Sequence, residues 1–164
     1  MSEKTINVRL AGLGGQGIIR ASDILAEVAF RAGCDVKKSE LHGMSQRGGS
    51  VSSDVRFGTQ VWSPMIPKGQ TDYLVIVSPD QVENNRPALK PQGVLVTPAL
   101  IPENDLPNKK TLNLALLGAL SAHLPFSEEL WLDTIQESFA ESFFEANEKA
   151  FKLGRQLEKQ ALPG

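Results

Sequence analysis

The stretch Gly12-Leu-Gly-Gly-Gln-Gly17 stands between a short apolar run that ends at Ala11 and a helical pattern that begins at Ile18. A buried strand that ends in glycines and opens a helix presents backbone N–H groups at the positive end of the helix dipole. The spacing is also that of the G-x-G-x-x-G turn of dinucleotide-binding folds, where glycines allow a close approach of backbone or ligand. The motif by itself is equally compatible with an anion site and with a tight turn needed only for packing.

Hydrophobic periodicity beyond this turn predicts one α/β domain that spans residues 1–164. Apolar positions recur at helical spacing over residues 18–32, and Gly33 follows where a glycine ends a helix. A second strand is expected from Cys34, which gives a βαβ-type opening with a right-handed crossover. The later pattern predicts strands at 72–78 and 93–97 and helices at 79–89, 113–124, 127–139 and 142–159, with Phe143 on the apolar face of the last helix. We therefore expect a Rossmann-like domain with a mostly parallel sheet flanked by helices.

An extra β-hairpin-like segment is expected in the middle of the chain. Residues 51–57 alternate at a period near two, which predicts a half-buried strand. A turn at 58–60 leads to a short return strand from Val61. Pro64 and Pro67 exclude regular structure over residues 63–69.

The charge balance limits the classes of partner. Seventeen basic and nineteen acidic residues give a net charge of −2, which does not favour nucleic acid or an anionic membrane surface. The pairs Lys37-Lys38 and Lys109-Lys110 are interpreted as solvated surface. The apolar runs are too short to span a bilayer, and residues 1–5 contain no apolar signal segment. We expect a cytoplasmic protein.

Cysteine and histidine are scarce. Cys34 is the single cysteine, and His42 and His123 are the two histidines. One thiol cannot form an internal disulfide or hold an iron–sulfur cluster, which takes about four cysteine ligands. A structural zinc site is disfavoured for the same reason. We expect no metal site and interpret Cys34 as a small buried apolar residue.

A polar, glycine-rich segment at 39–50 fits neither the helix nor the strand period and predicts a functional loop. Arg47 can hold a carboxylate or a phosphate through its fork of donors, and the neighbouring glycines leave room for a ligand or another chain. His42 has no triad order or metal spacing beside it. It is therefore interpreted as a hydrogen-bonding or interface residue, with a catalytic base as the alternative, and no catalytic residue is assigned. Glu40 is the candidate for the ribose-binding acid of a dinucleotide fold, although its loop-like neighbours disfavour that role.

The glycine turn and the string Ser39-Glu-Leu-His-Gly-Met-Ser-Gln-Arg-Gly-Gly-Ser50 together resemble the gamma-type subunits of 2-oxoacid:ferredoxin oxidoreductases, with indolepyruvate ferredoxin oxidoreductases nearest in pattern. The resemblance extends from about residue 8 to residue 96. It assigns the anion-facing, cofactor-binding turn to Gly12, Gly14, Gly15, Gln16 and Gly17. It assigns a loop facing the substrate, coenzyme A or a partner to His42, Gly43, Met44, Ser45, Gln46, Arg47, Gly48 and Gly49.

The resemblance implies a division of labour between subunits. Enzymes of this family decarboxylate a 2-oxoacid on thiamine diphosphate, pass electrons to ferredoxin and release an acyl-CoA. Thiamine diphosphate and iron–sulfur clusters would belong to larger partner subunits. This chain would bind no cofactor alone, complete the site, position coenzyme A and be inactive by itself. Aryl pyruvates such as indolepyruvate, branched-chain 2-oxoacids and 2-oxoglutarate all stay open as substrates, and the isolated chain could form a homodimer.

Two other functions use the same glycine turn. A free-standing nucleotide-binding sensor should bind a nucleotide unaided, whereas the subunit should need its partner. A nicotinamide-dependent dehydrogenase would need a substrate domain that 164 residues hardly allow. An exposed apolar patch, with Trp62, Met65 and Ile66 as candidates, would favour the subunit. Trp131 is expected to pack its helix onto the core.

Overall fold

Five β-strands form one sheet in the structure, a computed structural model that describes residues 4–43 and 49–163. The strands are β1 (Ile6–Leu13), β2 (Asp35–His42), β3 (Ser50–Gly58), β4 (Thr71–Ile76) and β5 (Leu89–Val96). The α-helices in this part of the chain are α1 (Ile18–Arg31), α2 (Val82–Asn85), α3 (Leu112–Ser121), α4 (Glu128–Ser138) and α5 (Phe144–Ala161). The strand order is β2-β3-β1-β4-β5.

The sheet is mixed, because β3 runs against the other four strands. β1, β4 and β5 pair in parallel, whereas β3 lies between β2 and β1 and is antiparallel to both. The predicted βαβ opening is present, since β2 follows α1 and runs parallel to β1, but the two strands are not neighbours. Only residues 43–49 connect β2 to β3, and so short a connection returns the chain as an antiparallel hairpin. One strand of that hairpin occupies the place beside β1.

The prediction of a return strand at Val61 is wrong, because the hairpin partner of β3 is β2. β2 includes residues 39–42, which the sequence placed in a loop because their side chains are mostly polar. The N–H of Val61 donates instead to Oδ2 of Asp35, 2.8 Å away. Residues 59–70, which we call the Pro-rich loop, contain no strand.

The helices largely confirm the prediction. α1 begins at Ile18, and Gly33 follows its end with φ +95°. The Ser127 hydroxyl caps α4 by accepting from the N–H of Leu130 at 3.1 Å. The predicted helix over 79–89 is reduced to α2 and short 3₁₀ turns, because β5 already begins at Leu89. Pro91 is tolerated within β5, since this strand lies at the edge of the sheet.

The main core lies on one face of the sheet, under α1, α3, α4 and α5. Trp131 is fully buried there, with the Phe151 ring 5.6 Å from its own, which confirms its packing role. Cys34 is buried as predicted, and desolvation raises the pKa of its thiol. The prediction for Phe143 is wrong. Its side chain is 55% exposed, because it belongs to a 3₁₀ turn before α5 and so does not continue the helix face.

The opposite face of the sheet carries a smaller apolar cluster. Its buried members are Ala11, Leu74 and Ile76, and residues from α2 and β5 pack against them. Over β2 and β3 this face bears mainly polar side chains. No helix within the described residues is long and apolar enough to cross a membrane.

Asp35 ties the start of the Pro-rich loop to the sheet, and its loss is expected to lower the melting temperature. The N–H of Val61 and the Lys37 ammonium hold the pKa of the Asp35 carboxyl below its ordinary value. A depressed pKa means that the ionised form stabilises the fold above the unfolded pKa of about 3.9, and that this contribution is lost as the pH falls through the folded pKa. Asp35→Ala should therefore melt below the wild type at pH 7, with a smaller difference near pH 3.

Thermal unfolding of both proteins across this pH range checks the prediction. Asp133→Ala, which removes an exposed carboxylate from α4, is the control and should leave the melting temperature unchanged. A difference between Asp35→Ala and the wild type that stays constant from pH 7 to pH 3 would contradict the assignment.

Candidate functional site

The glycine turn, residues 12–17, lies at the carboxyl end of β1 and leads into α1, as predicted. Gly12 still pairs with Val51 of β3, and the N–H of Gln16 donates to the carbonyl of Leu13 at 3.2 Å. The Gln16 side chain folds back, so that Oε1 accepts from the N–H of Leu13 at 2.7 Å. This hydrogen bond holds the turn in its conformation.

The turn leaves the start of α1 open. Gly15 and Gly17 have φ of +87° and +77°, a left-handed conformation that glycine adopts without strain. Gly17 is the N-cap residue, and no side chain among the described residues caps the helix. The first N–H groups of an α-helix have no intrahelical acceptor and lie at the positive end of its dipole. This end of α1 is therefore suited to an anion.

Asn113, near the start of α3, fixes the position of Gly17. Its Nδ2 donates to the Gly17 carbonyl at 3.2 Å, and the N–H of Ala21 donates to the same oxygen at 3.0 Å. The Asn113 carboxamide fills the space that a Cβ on Gly17 would occupy. Its Oδ1 is buried and has no hydrogen-bond partner among the described residues. The contacts that hold the turn in place thus join two segments, around Gly17 and around Asn113, that lie far apart in the sequence.

A cavity of about 580 Å³ opens beside the turn, within the size range of small-molecule sites. Its described lining includes Gly15, Gln16, Gly17, Arg20, Lys109, Lys110, Asn113 and Phe139. The Arg20 guanidinium lies 5.0 Å from the centre of the Phe139 ring and donates to the Ser138 carbonyl. Two contacts therefore hold this cation at the wall of the cavity.

Positive charge dominates the lining. Arg20, Lys109 and Lys110 line the cavity, and its described lining contains no carboxylate. Lys109 makes an exposed ion pair with Glu103 at 3.5 Å, whereas Lys110 makes none with any described residue. The sequence interpretation of the lysine pair as solvated surface missed this placement. The lysines are exposed, as expected, but the fold brings them to the glycine turn from about 90 residues away.

The structure brings together the two stretches that the sequence singled out. The N–H of Gly14 donates to the carbonyl of Gly49 at 2.9 Å, and the N–H of Gly43 donates to the carbonyl of Ser50 at 2.6 Å. His42 is exposed at the end of β2, opposite Val51. Gly49 therefore lies beside the glycine turn, whereas Gly43 lies on the far side of β3, next to Ser50. The remaining predicted site residues, Met44, Ser45, Gln46, Arg47 and Gly48, lie outside the described residues.

Glu40 does not occupy the ribose-binding position of a dinucleotide fold. It lies within β2 and pairs with the Lys38 ammonium at 2.8 Å. In that fold the acidic residue ends the strand next to the glycine-bearing strand. Here β3 separates β2 from β1, which moves Glu40 two strand spacings, about 9–10 Å, from β1.

The family model for pyruvate ferredoxin/flavodoxin oxidoreductase matches residues 7–110, which include the glycine turn and the 43–49 segment. The chain belongs to this family. It is 33% identical to the indolepyruvate oxidoreductase subunit IorB of Thermococcus kodakarensis, over 97% of this chain and 98% of that protein.

Two solved structures share the fold. The gamma subunit of a keto/oxoacid ferredoxin oxidoreductase from Geobacter sulfurreducens matches with a TM-score of 0.79 and 27% identity, over 94% of this chain and 99% of that chain. A 2-oxoglutarate:ferredoxin oxidoreductase from Magnetococcus marinus, with 2-oxoglutarate, coenzyme A and succinyl-CoA bound, matches with a TM-score of 0.80 and 23% identity. That match covers 99% of this chain and 32% of the other, so that longer chain contains this fold as one part. The predicted α/β domain flanked by helices is confirmed.

Proposed function

We propose that this chain is the accessory, gamma-type subunit of a thiamine diphosphate-dependent 2-oxoacid:ferredoxin oxidoreductase, with indolepyruvate or another aryl pyruvate as the substrate. The 2-oxoacid loses carbon dioxide, two electrons pass to ferredoxin, and the acyl group joins coenzyme A. The partner subunit would hold thiamine diphosphate, which would supply the decarboxylation chemistry. The chain itself binds and orients coenzyme A and encloses the catalytic site, and it is inactive alone. The IorB relative supports the aryl substrate, and 2-oxoglutarate is the alternative.

The cationic cavity beside the glycine turn carries the proposal. Coenzyme A bears a diphosphate and a further phosphate on its nucleotide, and this cavity presents backbone N–H groups and three cations. Arg20 is preoriented by the Phe139 ring, so its fork of donors loses little freedom when it binds a phosphate. These residues fit a phosphorylated acyl acceptor. We assign phosphate binding to the start of α1, Arg20 and Lys110.

The segment over 43–49 supplies the side that meets the catalytic partner. Its end at Gly49 is fixed beside the glycine turn by the hydrogen bond from the N–H of Gly14, so the segment joins the sheet next to the site proposed for the ligand. Arg47 falls in this segment, and we assign its guanidinium to a coenzyme A phosphate or to the substrate carboxylate. Met44 and the glycines of the segment suit contact with another chain.

Removal of Arg20 or Lys110, the two cavity cations assigned to phosphate binding, is expected to raise the KM for coenzyme A in the assembled enzyme. A hydrogen bond to a charged group contributes about 1.5–3 kcal/mol, so Arg20→Ala and Lys110→Ala should each raise this KM about tenfold or more. The KM for the 2-oxoacid should stay the same, because neither cation is assigned to it. Steady-state dye reduction with coenzyme A varied at saturating 2-oxoacid measures the first constant, and the same assay with the 2-oxoacid varied at saturating coenzyme A measures the second.

Lys152→Ala is the matched control, since Lys152 is a half-exposed lysine on α5 that pairs with Glu148. Its KM for coenzyme A should equal that of the wild type. If both cavity variants also kept the wild-type KM, coenzyme A would not bind at the turn.

The proposed substrate class is tested by the specificity of the assembled enzyme. The highest kcat/KM should be found with aryl pyruvates, and lower values with branched-chain 2-oxoacids and 2-oxoglutarate. A preference for 2-oxoglutarate would overturn the aryl assignment and leave the role as an oxidoreductase subunit intact. Tight binding of a nucleotide by the isolated chain, without any partner or turnover, would favour the sensor instead.

A further inference from the structure

One face of the sheet has no covering helix layer within residues 4–43 and 49–163. α1, α3, α4 and α5 all pack on the other face, and in this part of the chain the short α2 and the Pro-rich loop border the open one. Cross-strand partners share a face, so Arg9, Asp54, Arg56 and Lys37 lie together here. Leu41, at the end of β2 next to the 43–49 segment, is 71% exposed. We call the polar surface of β1, β2 and β3, together with residues 59–70, the loop face.

The Pro-rich loop is firmly attached to this face. Nη1 of Arg56 donates to the carbonyls of Ser63 and Met65, at 2.7 and 2.9 Å. Asp35 accepts from the N–H of Val61 at the start of the loop. The loop nevertheless presents Trp62 and Met65 to solvent, 84% and 67% exposed. A large aromatic side chain held outward on a fixed backbone is typical of an interface hot spot.

The loop face is basic, whereas the whole chain carries a net charge of −2. The described contacts pair Arg9 with Asp54 and Lys37 with Asp35. The side-chain contacts of Arg56 go to Asn7 and to main-chain carbonyls, so no described carboxylate compensates it. Lys68, the one charged residue of the loop, has no ion pair with a described residue. Arg56 and Lys68 are therefore two positive charges near Trp62 and Met65 that form no ion pair with a described carboxylate.

We propose that the loop face docks onto an acidic surface of the thiamine-bearing partner subunit, with Trp62 and Met65 inserted into an apolar pocket there. Complementary charge selects the partner, because Arg56 and Lys68 would meet carboxylates at the rim of the contact. Leu41 lies on this face near the end of β2. The segment over 43–49, which is proposed to meet the same partner, begins two residues later. This inference rests on the proposed function, since it names the surface by which the subunit attaches.

The test measures binding of the purified chain to the thiamine diphosphate-containing subunit isolated from the native complex. Trp62→Ala should raise the Kd at least about 30-fold, as expected of a central aromatic anchor. Phe30→Ala is the matched control, because Phe30 is 67% exposed on α1, on the helix-covered side. It should leave the Kd unchanged.

A charge reversal at Lys68 tests the electrostatic contribution to docking. Lys68→Glu should lower the association rate several-fold and flatten its dependence on ionic strength, since rim charges act mainly on association. The exposed Lys159 of α5 supplies the control Lys159→Glu. Trp62→Ala and Lys68→Glu that both bind like the wild type would overturn the docking proposal while leaving the subunit function standing. Failure of the wild-type chain to bind at all would instead overturn the proposed function.

Discussion

Gly154→Ala is expected to lower the melting temperature by about 6–12 °C or to prevent folding. α3 and α5 cross so closely at this point that a Cβ on Gly154 would overlap the main-chain carbonyl group of Ala115, with the carbonyl carbon only 2.6 Å away. Gly118 meets the main chain of Phe151 in the same way from the opposite helix. A clash with backbone cannot be relieved by a rotamer change, so the cost is about 3 kcal/mol or more. For a domain of this size each kcal/mol lowers the melting temperature by about 2–4 °C.

Thermal unfolding followed by far-UV circular dichroism measures this effect. Gln156→Ala, two residues away on the exposed side of α5, is the control and should melt within about 2 °C of the wild type. Ala115→Gly should not rescue Gly154→Ala, because the overlap involves main-chain atoms of Ala115. Wild-type stability of Gly154→Ala would mean that the two helices do not approach as described.

Gly17→Ala is expected to abolish most of the coenzyme A-dependent turnover of the assembled enzyme while leaving the chain folded. The left-handed φ of Gly17 costs a residue with a side chain about 1–2 kcal/mol. The new Cβ would also strike the Asn113 carboxamide, whose Cγ would be 3.1 Å away. The turn or Asn113 must then move, and the N–H groups that face the cavity move with it. We expect a loss of at least about 100-fold in kcat/KM for coenzyme A, in line with displacement of a binding group by about 1 Å.

Gly15→Ala separates backbone strain from steric overlap. Gly15 has a similar φ of +87°, but no atom of the described residues would lie within 4 Å of a Cβ there. Gly15→Ala should therefore lose stability, as Gly17→Ala does, without the full loss of turnover. The pair Gly17→Ala with Asn113→Ala should recover part of the activity, because the overlap is removed and only the strain remains. Equal turnover losses in Gly15→Ala and Gly17→Ala would contradict the role assigned to Asn113.

Local signals predicted the first half of the fold well. The glycine turn, α1 and Gly33 follow directly from short-range periodicity and turn chemistry, and the structure confirms all three. Short-range periodicity and turn chemistry could not predict the placement of β3 between β2 and β1. It depends on which strands pair, and the polar residues of β2 resemble a loop when its partner is unknown.

The candidate site, like the fold, was predictable only where a local sequence pattern marks its residues. Both specialised stretches were visible in the sequence, and their contact through Gly14 and Gly49 follows once β3 pairs with β1. Arg20 sits on the exposed face of a helix, and Lys110 and Asn113 come from a segment about 95 residues later. No local sequence pattern distinguishes such residues from ordinary surface or core residues. The one sequence-level hint is a lysine pair placed directly before a buried helix, which becomes meaningful only when α3 is known to abut the turn.

The most direct test of the central claim is reconstitution of the enzyme from its parts. The thiamine diphosphate- and iron–sulfur-containing subunit is assayed for viologen dye reduction with indolepyruvate and coenzyme A, without this chain and then with it. We predict negligible turnover from either component alone, and full coenzyme A-dependent turnover when they are combined in a fixed ratio. Full turnover by the larger subunit alone, or no complex between the two, would contradict the assignment of this chain as the subunit that completes the site.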